Sequence, residues 1–220
     1  MTLFRYPQMC AIARAAEVVG ERWTLLVLRE LALGPKRFTD LRERLSGVSS
    51  SVLTERIAHL QKRGLIARGR LAPPAASVVY ALTEEGRTLV PLLHALLRWG
   101  IRYLGAPEPE DKFEADWLRL GLAAYARKSE SPPCSFEIQI TNEGTSLYVR
   151  LSGGAEGTII AEGPGPAEVS ITVPSDALLG LVNGAVRPSD ALAMGELRAE
   201  GNLGILDLLP QLFDMSTETT

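Results

Sequence analysis

The stretch that decides the fold spans residues 10–70 and reads CAIARAAEVVGERWTLLVLRELALGPKRFTDLRERLSGVSSSVLTERIAHLQKRGLIARGR. Its hydrophobic residues recur at helical spacing in four consecutive short segments. The fourth segment starts at the small polar cluster Ser49-Ser50-Ser51 and ends at Gly64. A β-rich segment flanked by basic residues follows at 65–83. This order, four helices and then a two-stranded hairpin, is typical of a winged helix-turn-helix, which inserts one helix into the DNA major groove.

The periodicity also predicts where the elements of the first half begin and end. Leu33-Gly34-Pro35 ends the second helix, because Gly accepts the left-handed cap conformation and Pro cannot continue the helix. Thr83 before two glutamates is typical of an N-cap. The predicted helices are 10–19, 22–33, 38–45, 50–63 and 84–103, with hairpin strands at 65–70 and 78–82.

The charge distribution separates the chain into two halves. Residues 1–105 carry 16 Lys and Arg against 8 Asp and Glu, a net charge of +8. Residues 106–220 carry 7 against 18, a net charge of −11, so the whole chain has −3. A basic half suits a polyanion and an acidic half repels one, which indicates two domains with different partners. The alternative is that two solvated faces merely differ in sign.

The predicted fold class is α+β, with a mostly helical winged helix followed by an antiparallel sheet backed by helices. Two prolines and three acidic residues within 105–111 indicate a solvated linker. Alternating apolar residues around 136–140 and 147–151, and β-type runs at 157–161 and 169–173, predict the strands. Helices are predicted at 111–127, 174–182, 188–194 and 202–213. The domains are then 1–105 for DNA binding and dimerisation, 106–112 as linker, 113–214 as the α+β domain and 215–220 as a disordered tail.

Several protein classes find no support in the sequence. Cys10 and Cys134 fall in different predicted domains without metal-ligand spacing, so neither a disulfide framework nor a metal site is expected. No apolar run approaches the ~20 residues that span a bilayer, and residues 1–7 lack a signal-peptide pattern. A cytoplasmic location and no membrane partner are therefore expected. His59 and His94 lack a nucleophile or carboxylate at useful spacing, so we expect no enzyme and no cofactor.

The fourth predicted helix provides candidate contacts to DNA bases. The hydroxyls of Ser49, Ser50 and Ser51 either cap backbone N–H groups or bond a phosphate or base edge, and both interpretations stay open. Leu53, Ile57 and Leu60 share the face expected to join the domain core. The side chains expected to project outward from the first turns are Thr54, Glu55 and His59, with Arg56 one position round.

Basic side chains around this helix are candidates to bind DNA phosphates, because the attraction depends on charge more than on precise geometry. Pro73-Pro74 at the hairpin tip predicts a stiff wing, or simply a turn. The candidate phosphate contacts are Lys36, Arg37, Arg44, Lys62, Arg63, Arg68 and Arg70.

Four segments together resemble the HxlR family of winged-helix transcriptional regulators, which is related to the MarR group. They are GERWTLLVLREL, GPKRFTDLRERL, SSSVLTERIAHLQKRGLI and VVYALTEEGRTLVPLLHALLRWG, and the match covers about residues 9–104. The resemblance implies a homodimer on a pseudo-palindromic double-stranded operator, with the terminal helices as dimer surface and helix 50–63 in the major groove. An apolar stripe also favours an interface over a core role, because so small a domain has little core left for it; it comprises Val90, Leu93, Leu97 and Ile101.

The resemblance also bears on Cys10. Several members of the family sense oxidants or electrophiles through a cysteine at the start of the first helix, and Cys10 matches that position. A helix N-terminus lowers a thiol pKa and so raises reactivity. Ala11 stands where many relatives have Pro. The alternative is a small hydrophobic residue packed at the dimer seam.

The segment VSITVPSDALLGLVNGAVRPSDALAMGELRAEGNLGILDLLPQLF resembles the sterol-carrier-protein-2-like domain. That family's fold encloses an apolar cavity between a sheet and its covering helices and binds lipids or acyl chains. The same alternating pattern also describes a filled core, so a cavity and a core both stay open. The residues that would line this side are Phe136, Ile138, Leu147, Val149, Ile171, Val173, Leu178, Leu181, Val182, Leu192 and Leu212.

The expected function is that of a homodimeric, sequence-specific DNA-binding regulator, expected to be a repressor. A hydrophobic small molecule or lipid-like effector would bind the C-terminal domain. One alternative places the switch at Cys10 and leaves the C-terminal domain to stabilise the dimer. Another is a lipid-binding protein whose winged helix serves protein interaction.

Overall fold

The computed structural model describes residues 5–71, 77–105, 108, 110–112, 114–128, 132–142 and 145–215. It comprises two compact units, Met1–Leu93 and His94–Thr220. This division falls before the predicted boundary at 105, because Leu97 packs against the core of the second unit and Arg98 Nη1 donates to the Ala124 carbonyl at 2.5 Å. The predicted wing tip Pro73-Pro74, the linker residues 106, 107 and 109, and the tail residues 216–220 lie outside the described residues.

The first unit has the predicted order of four helices and a hairpin. Its antiparallel strands pair from Ile66↔Leu82 to Arg70↔Val78. The elements are α1 (Ala11–Val19), α2 (Thr24–Ala32), α3 (Phe38–Arg44), α4 (Ser50–Lys62), β1 (Ile66–Arg70), β2 (Val78–Leu82), α5 (Glu84–Arg87) and α6 (Val90–Gly100), followed by a 3₁₀ turn (Ile101–Tyr103).

The predicted long helix 84–103 is wrong in one respect, since it breaks between α5 and α6. Thr88 and Leu89 bond three residues back, to the carbonyls of Glu85 and Gly86, which closes α5 with tight turns. Pro91 lacks the N–H that a continuous helix would need at this point, and its ring collides with the carbonyl four residues earlier. The break therefore follows from Pro91.

The core of the first unit holds α4 in place. Leu53, Ile57 and Leu60 are buried, as predicted, and pack with Leu28 and Leu41 of α2 and α3. Each such leucine contributes about 1.5–3 kcal/mol relative to an exposed one. One face of α4 is thus fixed in the core, and the other faces outward.

The apolar stripe predicted at the dimer surface is buried at one of its four positions. Leu93 belongs to the core of the first unit. Leu97 packs against the core of the second unit and is half-buried, as are Val90 and Ile101. Leu93 is thus a core residue, and the dimer role of the other three stays a prediction.

The second unit contains a five-stranded sheet backed by helices. Its elements are α7 (Ala115–Tyr125), β3 (Cys134–Asn142), β4 (Thr145–Gly153), β5 (Ile159–Glu162), β6 (Val169–Pro174), α8 (Ser175–Val182), α9 (Pro188–Met194), β7 (Arg198–Gly201) and a 3₁₀ helix (Leu203–Leu212). The strand order is β5-β4-β3-β6-β7. The alternating residues of β3, β4 and β6 are buried on one face, as predicted.

Three features of this unit differ from the prediction. β3 and β6 pair in parallel, with Phe136 opposite Val169, so the sheet is mixed rather than antiparallel. Alternation predicts which residues face inward but not strand direction, and the chain crosses over between β5 and β6. β7 was not predicted because this edge strand, RAEG, has no apolar alternation. The predicted helix 202–213 is a 3₁₀ helix containing Pro210, which has no N–H to donate.

Candidate nucleic-acid interface

The N-terminus of α4 is held by a cap. Ser49 Oγ accepts a hydrogen bond from the Val52 N–H at 3.3 Å, which satisfies one of the free donors of the first turn. Gly64, with φ of 72°, allows the chain to leave the helix. The side opposite the core is what we call the outer face of α4. Its exposed residues are Ser50, Ser51, Thr54, Ala58, Gln61 and Lys62.

The hydroxyls of this region are engaged with one another and with the backbone. Ser49 Oγ lies 3.0 Å from Ser51 Oγ. Thr54 Oγ1 donates to the Ser50 carbonyl at 2.7 Å. The structure therefore gives Ser49 a capping role, while Ser50, Ser51 and Thr54 stay on the exposed surface.

Arg56 does not lie on the exposed surface. Its side chain is 7% exposed and forms ion pairs with Glu21 Oε2 at 3.1 Å and Glu55 Oε1 at 3.0 Å. It lies on the flank of α4 that faces the turn between α1 and α2, whereas Thr54 and Ala58 face outward. The assignment of Arg56 as a DNA contact is therefore corrected, and the carboxylate of Glu55 is bound by this guanidinium.

His59 and Arg44 are also used inside the first unit. His59 is half-buried, and its Nε2 lies 3.2 Å from the Val18 carbonyl, which accepts a hydrogen bond at the end of α1. Arg44 Nε donates to Glu30 Oε2 at 2.5 Å. These side chains tie α4 to α1 and α3 to α2, so His59 does not project outward as predicted, while the DNA contacts assigned to His59 and Arg44 stay predictions.

Glu30 is a buried charged residue that was not predicted from the sequence. Its side chain is fully buried, and its Oε1 accepts hydrogen bonds from Arg29 Nε and Nη2 at 3.0 and 2.6 Å. Burying a carboxylate is costly unless it is paired and hydrogen-bonded. The sequence pattern that indicates this buried carboxylate is an acidic residue on the same helix face as the apolar Val27 and Leu31 of α2.

The other predicted cations lie close to the surface. Arg37, Lys62, Arg68 and Arg70 are exposed. Lys36 and Arg63 are half-buried, and the Lys36 backbone exchanges hydrogen bonds with Tyr80 of β2 at 3.0 and 2.8 Å. Arg42 is exposed as well and was not predicted as a DNA contact. The buried Leu41 and Leu45 show which face of α3 is inward, and Arg42 lies off that face.

In the second unit the structure brings the proposed effector-lining residues into one cluster. Phe136 and Ile138 of β3 lie on the same face as Val149 of β4 and Ile171 of β6, with exposed fractions of 1% or less. Leu178, Leu181 and Val182 of α8 and Leu212 belong to the same cluster, and half-buried Leu192 packs against it. Leu147 and Val173 complete it.

The two cysteines have different environments. Cys10 is exposed and is the N-cap residue of α1. The backbone N–H groups of Ala13 and Ile12 in the first turn favour the thiolate and so lower the pKa of Cys10. Cys134 is buried, and burial together with the charge of Glu168 raises its pKa. Only Cys10 thus combines access with a stabilised thiolate.

The described part of the chain contains no group of three or more His, Cys, Asp or Glu side chains arranged to hold a metal ion. None of its helices combines the length and apolar character needed to cross a membrane.

Comparison with known proteins finds two family models that match different parts of the chain. The model of the family described as HxlR-like helix-turn-helix matches residues 18–108, and that of the SCP-2 sterol transfer family matches residues 133–214. An HTH-type transcriptional regulator of Methanothermobacter thermautotrophicus is 34% identical over 95 residues, covering 43% of this chain and 72% of that protein. The chain belongs to the HxlR-like helix-turn-helix family. Both resemblances found in the sequence are thereby confirmed.

Other similar proteins match the HxlR-like part of the chain. The HTH-type transcriptional regulator MT3179 of Mycobacterium tuberculosis is 41% identical over 98 residues, which are 44% of this chain and 61% of MT3179. The chain thus spans about three fifths of the length of that relative. The reduced form of the transcriptional regulator YodB from Bacillus subtilis is 28% identical, covering 46% of this chain and 100% of that one, with a TM-score of 0.38.

Proposed function

We propose that the protein is a cytoplasmic transcriptional regulator that binds double-stranded DNA as a homodimer and acts as a repressor. The observation that carries the proposal is the arrangement of α4. Three buried residues, Leu53, Ile57 and Leu60, fix one side of the helix, and its outer face is exposed. The relatives that match this unit are named HTH-type transcriptional regulators, which supports the same function.

In this proposal α4 enters the major groove and cations outside it contact phosphates. Arg68 and Arg70 occupy alternate, exposed positions of β1, so both project from one side of the wing. Arg37 precedes α3 and Lys62 ends α4. Two copies of α4 would lie in successive major grooves, ~34 Å apart, on a pseudo-palindromic site.

A dimer is supported by an exposed aromatic pair near the end of α6. Trp99 and Tyr103 are 55% and 68% exposed, and their ring centroids are 4.9 Å apart. Leu104, next in the chain, is exposed as well. Trp and Tyr are enriched at protein interfaces, and a cluster of exposed apolar residues marks an interaction site more often than a free surface.

Selection from a random double-stranded DNA library tests the DNA-binding proposal. We expect enrichment of an inverted repeat whose half-site centres are about 10–10.5 base pairs, or a multiple of that, apart. Binding of the enriched DNA must survive an excess of unrelated competitor DNA. No enrichment over the starting library would refute the proposal and favour the protein-interaction role for the winged helix.

For the second unit we propose binding of a hydrophobic small molecule that alters DNA affinity. The SCP-2 family match over residues 133–214 and the apolar cluster around Phe136 support it. Such a ligand shifts DNA binding only if it prefers the DNA-free or the DNA-bound form.

Native mass spectrometry of gently purified protein tests both the ligand proposal and the dimer. We expect twice the 23.8 kDa chain mass plus additional mass that organic solvent removes; a clean apo dimer would favour Cys10 as the switch.

A second candidate function, redox or electrophile sensing, is favoured by the geometry of Cys10. Because backbone N–H groups lower its pKa, the thiolate of Cys10 forms at a lower pH than that of an ordinary cysteine. We predict that iodoacetamide modifies Cys10 with a pH midpoint below that of a free cysteine peptide, while buried Cys134 reacts only after unfolding. Peptide mass spectrometry after timed alkylation measures both rates.

The Cys10→Ser variant is the control for sensing. If Cys10 is the switch, oxidant releases the wild-type protein from DNA and leaves this variant bound. Equal release of both proteins from DNA by the oxidant would refute a sensing role for Cys10.

A further inference from the structure

The outer face of α4 carries small side chains where a recognition helix meets base edges. Helix α4 is described in full, and Ser51, Thr54 and Ala58 are the exposed residues along its middle. Arg56 and His59, the larger polar residues of this segment, are held by Glu21, Glu55 and the Val18 carbonyl. No Arg, Lys or Asn therefore stands on this face before Lys62.

Hydrogen bonds within the helix leave methyl groups as the main feature of this surface. The Thr54 hydroxyl donates to the Ser50 carbonyl, and the Ser51 hydroxyl lies 3.0 Å from that of Ser49. What Thr54 and Ala58 then offer a partner is chiefly a methyl group each. Gln61, one turn beyond Ala58, adds an exposed amide.

These groups match one kind of base pair. In the major groove thymine displays its C5-methyl group, which apolar contacts recognise, and adenine displays N7 and N6, which Gln or Asn bind in a bidentate manner. Guanine is read mainly by Arg or Lys, and cytosine by a free carboxylate. The carboxylate of Glu55, the one acidic side chain of α4, is bound by Arg56.

We propose that α4 reads A·T base pairs at the centre of each operator half-site. Thr54 and Ala58 contact thymine methyl groups, and Gln61 binds the N6 and N7 positions of adenine. This proposal rests on the DNA-binding function proposed above and specifies its base preference. Specificity then comes from close fit and methyl burial, while the surrounding cations supply affinity without sequence preference.

The test replaces thymine by uracil, which lacks the methyl group, in the half-sites of the DNA enriched from the random library. Affinity for the thymine and uracil duplexes is measured by fluorescence anisotropy at one salt concentration. Each contacted methyl removed should weaken binding about fourfold, the factor expected for one buried methylene-sized group. Thr54→Ser removes the protein methyl and keeps the hydroxyl that bonds Ser50. Because the homodimer loses one methyl contact in each half-site, the variant should bind the thymine duplex about 15-fold more weakly and the uracil duplex with unchanged affinity.

The matched control is Thr88→Ser, because Thr88 is also exposed and its hydroxyl donates to the Glu85 carbonyl at 2.6 Å. This control should bind both duplexes like the wild type. Equal affinity of the wild type for thymine and uracil duplexes, or enrichment of G·C pairs at the half-site centres, would overturn the proposal. Failure to bind any duplex would instead refute the DNA-binding function itself, so the two failures are distinguishable.

Discussion

Replacement of Glu30 by alanine is expected to lower the free energy of unfolding of the first unit by about 3 kcal/mol. The fully buried carboxylate bonds Arg29 through one oxygen and Arg44 through the other. Removing one partner of a buried ion pair costs ~3–5 kcal/mol. The lower end applies because the side chains of Arg29 and Arg44 remain 22% and 18% exposed and are partly hydrated.

Unfolding of this unit can be followed separately from the second one. Of the three tryptophans, only Trp23 belongs to the first unit, so denaturant titration in a Trp99→Phe, Trp117→Phe background reports on it through Trp23 fluorescence. Glu84→Ala removes an exposed acidic residue of the same unit and is the control. Similar stabilities of the Glu30→Ala and Glu84→Ala proteins would show that the buried carboxylate contributes nothing beyond an exposed one.

Replacement of Thr54 by glutamate is expected to weaken operator binding by about 100-fold or more. Thr54 lies on the outer face of α4 and is exposed, so the fold tolerates the longer side chain. In the complex the new carboxylate meets the anionic groove and loses its hydration. Like charges brought together at an interface cost several kcal/mol, and about 3 kcal/mol corresponds to that factor. Fluorescence anisotropy with the library-enriched DNA measures the loss.

The Thr88→Glu variant separates this local effect from the change in net charge. Thr88 has the same residue type, exposure and kind of backbone hydrogen bond, but it lies at the end of α5 rather than on α4. We expect it to bind DNA within about twofold of the wild type, since a single exposed charge away from the interface is screened by salt. Equal losses in the two variants would contradict the placement of α4 in the groove.

The local features of α4 could be predicted from the sequence, because they depend on neighbouring residues. The segment 50–63 was predicted and Ser50–Lys62 observed, and the serine cap, Gly64 and the inward leucines are local signals. Two local errors have the same kind of cause, since Pro91 lies within the predicted helix 84–103 and Pro210 within the predicted helix 202–213, and proline has no N–H to continue an α-helix.

The orientation of the charged side chains could not be predicted in this way. Arg56 pairs with Glu21, which lies in the turn between α1 and α2, and His59 meets the carbonyl of Val18. Such contacts join segments that are distant in sequence, and a helical wheel places Arg56 near the boundary between inward and outward positions. Only the tertiary structure shows that the exposed part of the helix is small and largely uncharged.

The direction of strands is a further non-local property. Val169, Ile171 and Val173 alternate with polar residues, which correctly predicts a strand with one buried face. The same alternation fits a parallel or an antiparallel neighbour, and β6 pairs with β3 in parallel because of the crossover after β5.

The most direct test of the account is the salt dependence of binding to the enriched operator between about 50 and 200 mM salt. Four exposed cations per protomer, Arg37, Lys62, Arg68 and Arg70, are placed to contact phosphates. With eight such contacts in the dimer, counterion release predicts a slope of log K against log salt of about −7, which becomes shallower by about 2 in an Arg68→Ala dimer. A slope near zero, or one that Arg68→Ala leaves unchanged, would contradict the proposed DNA interface.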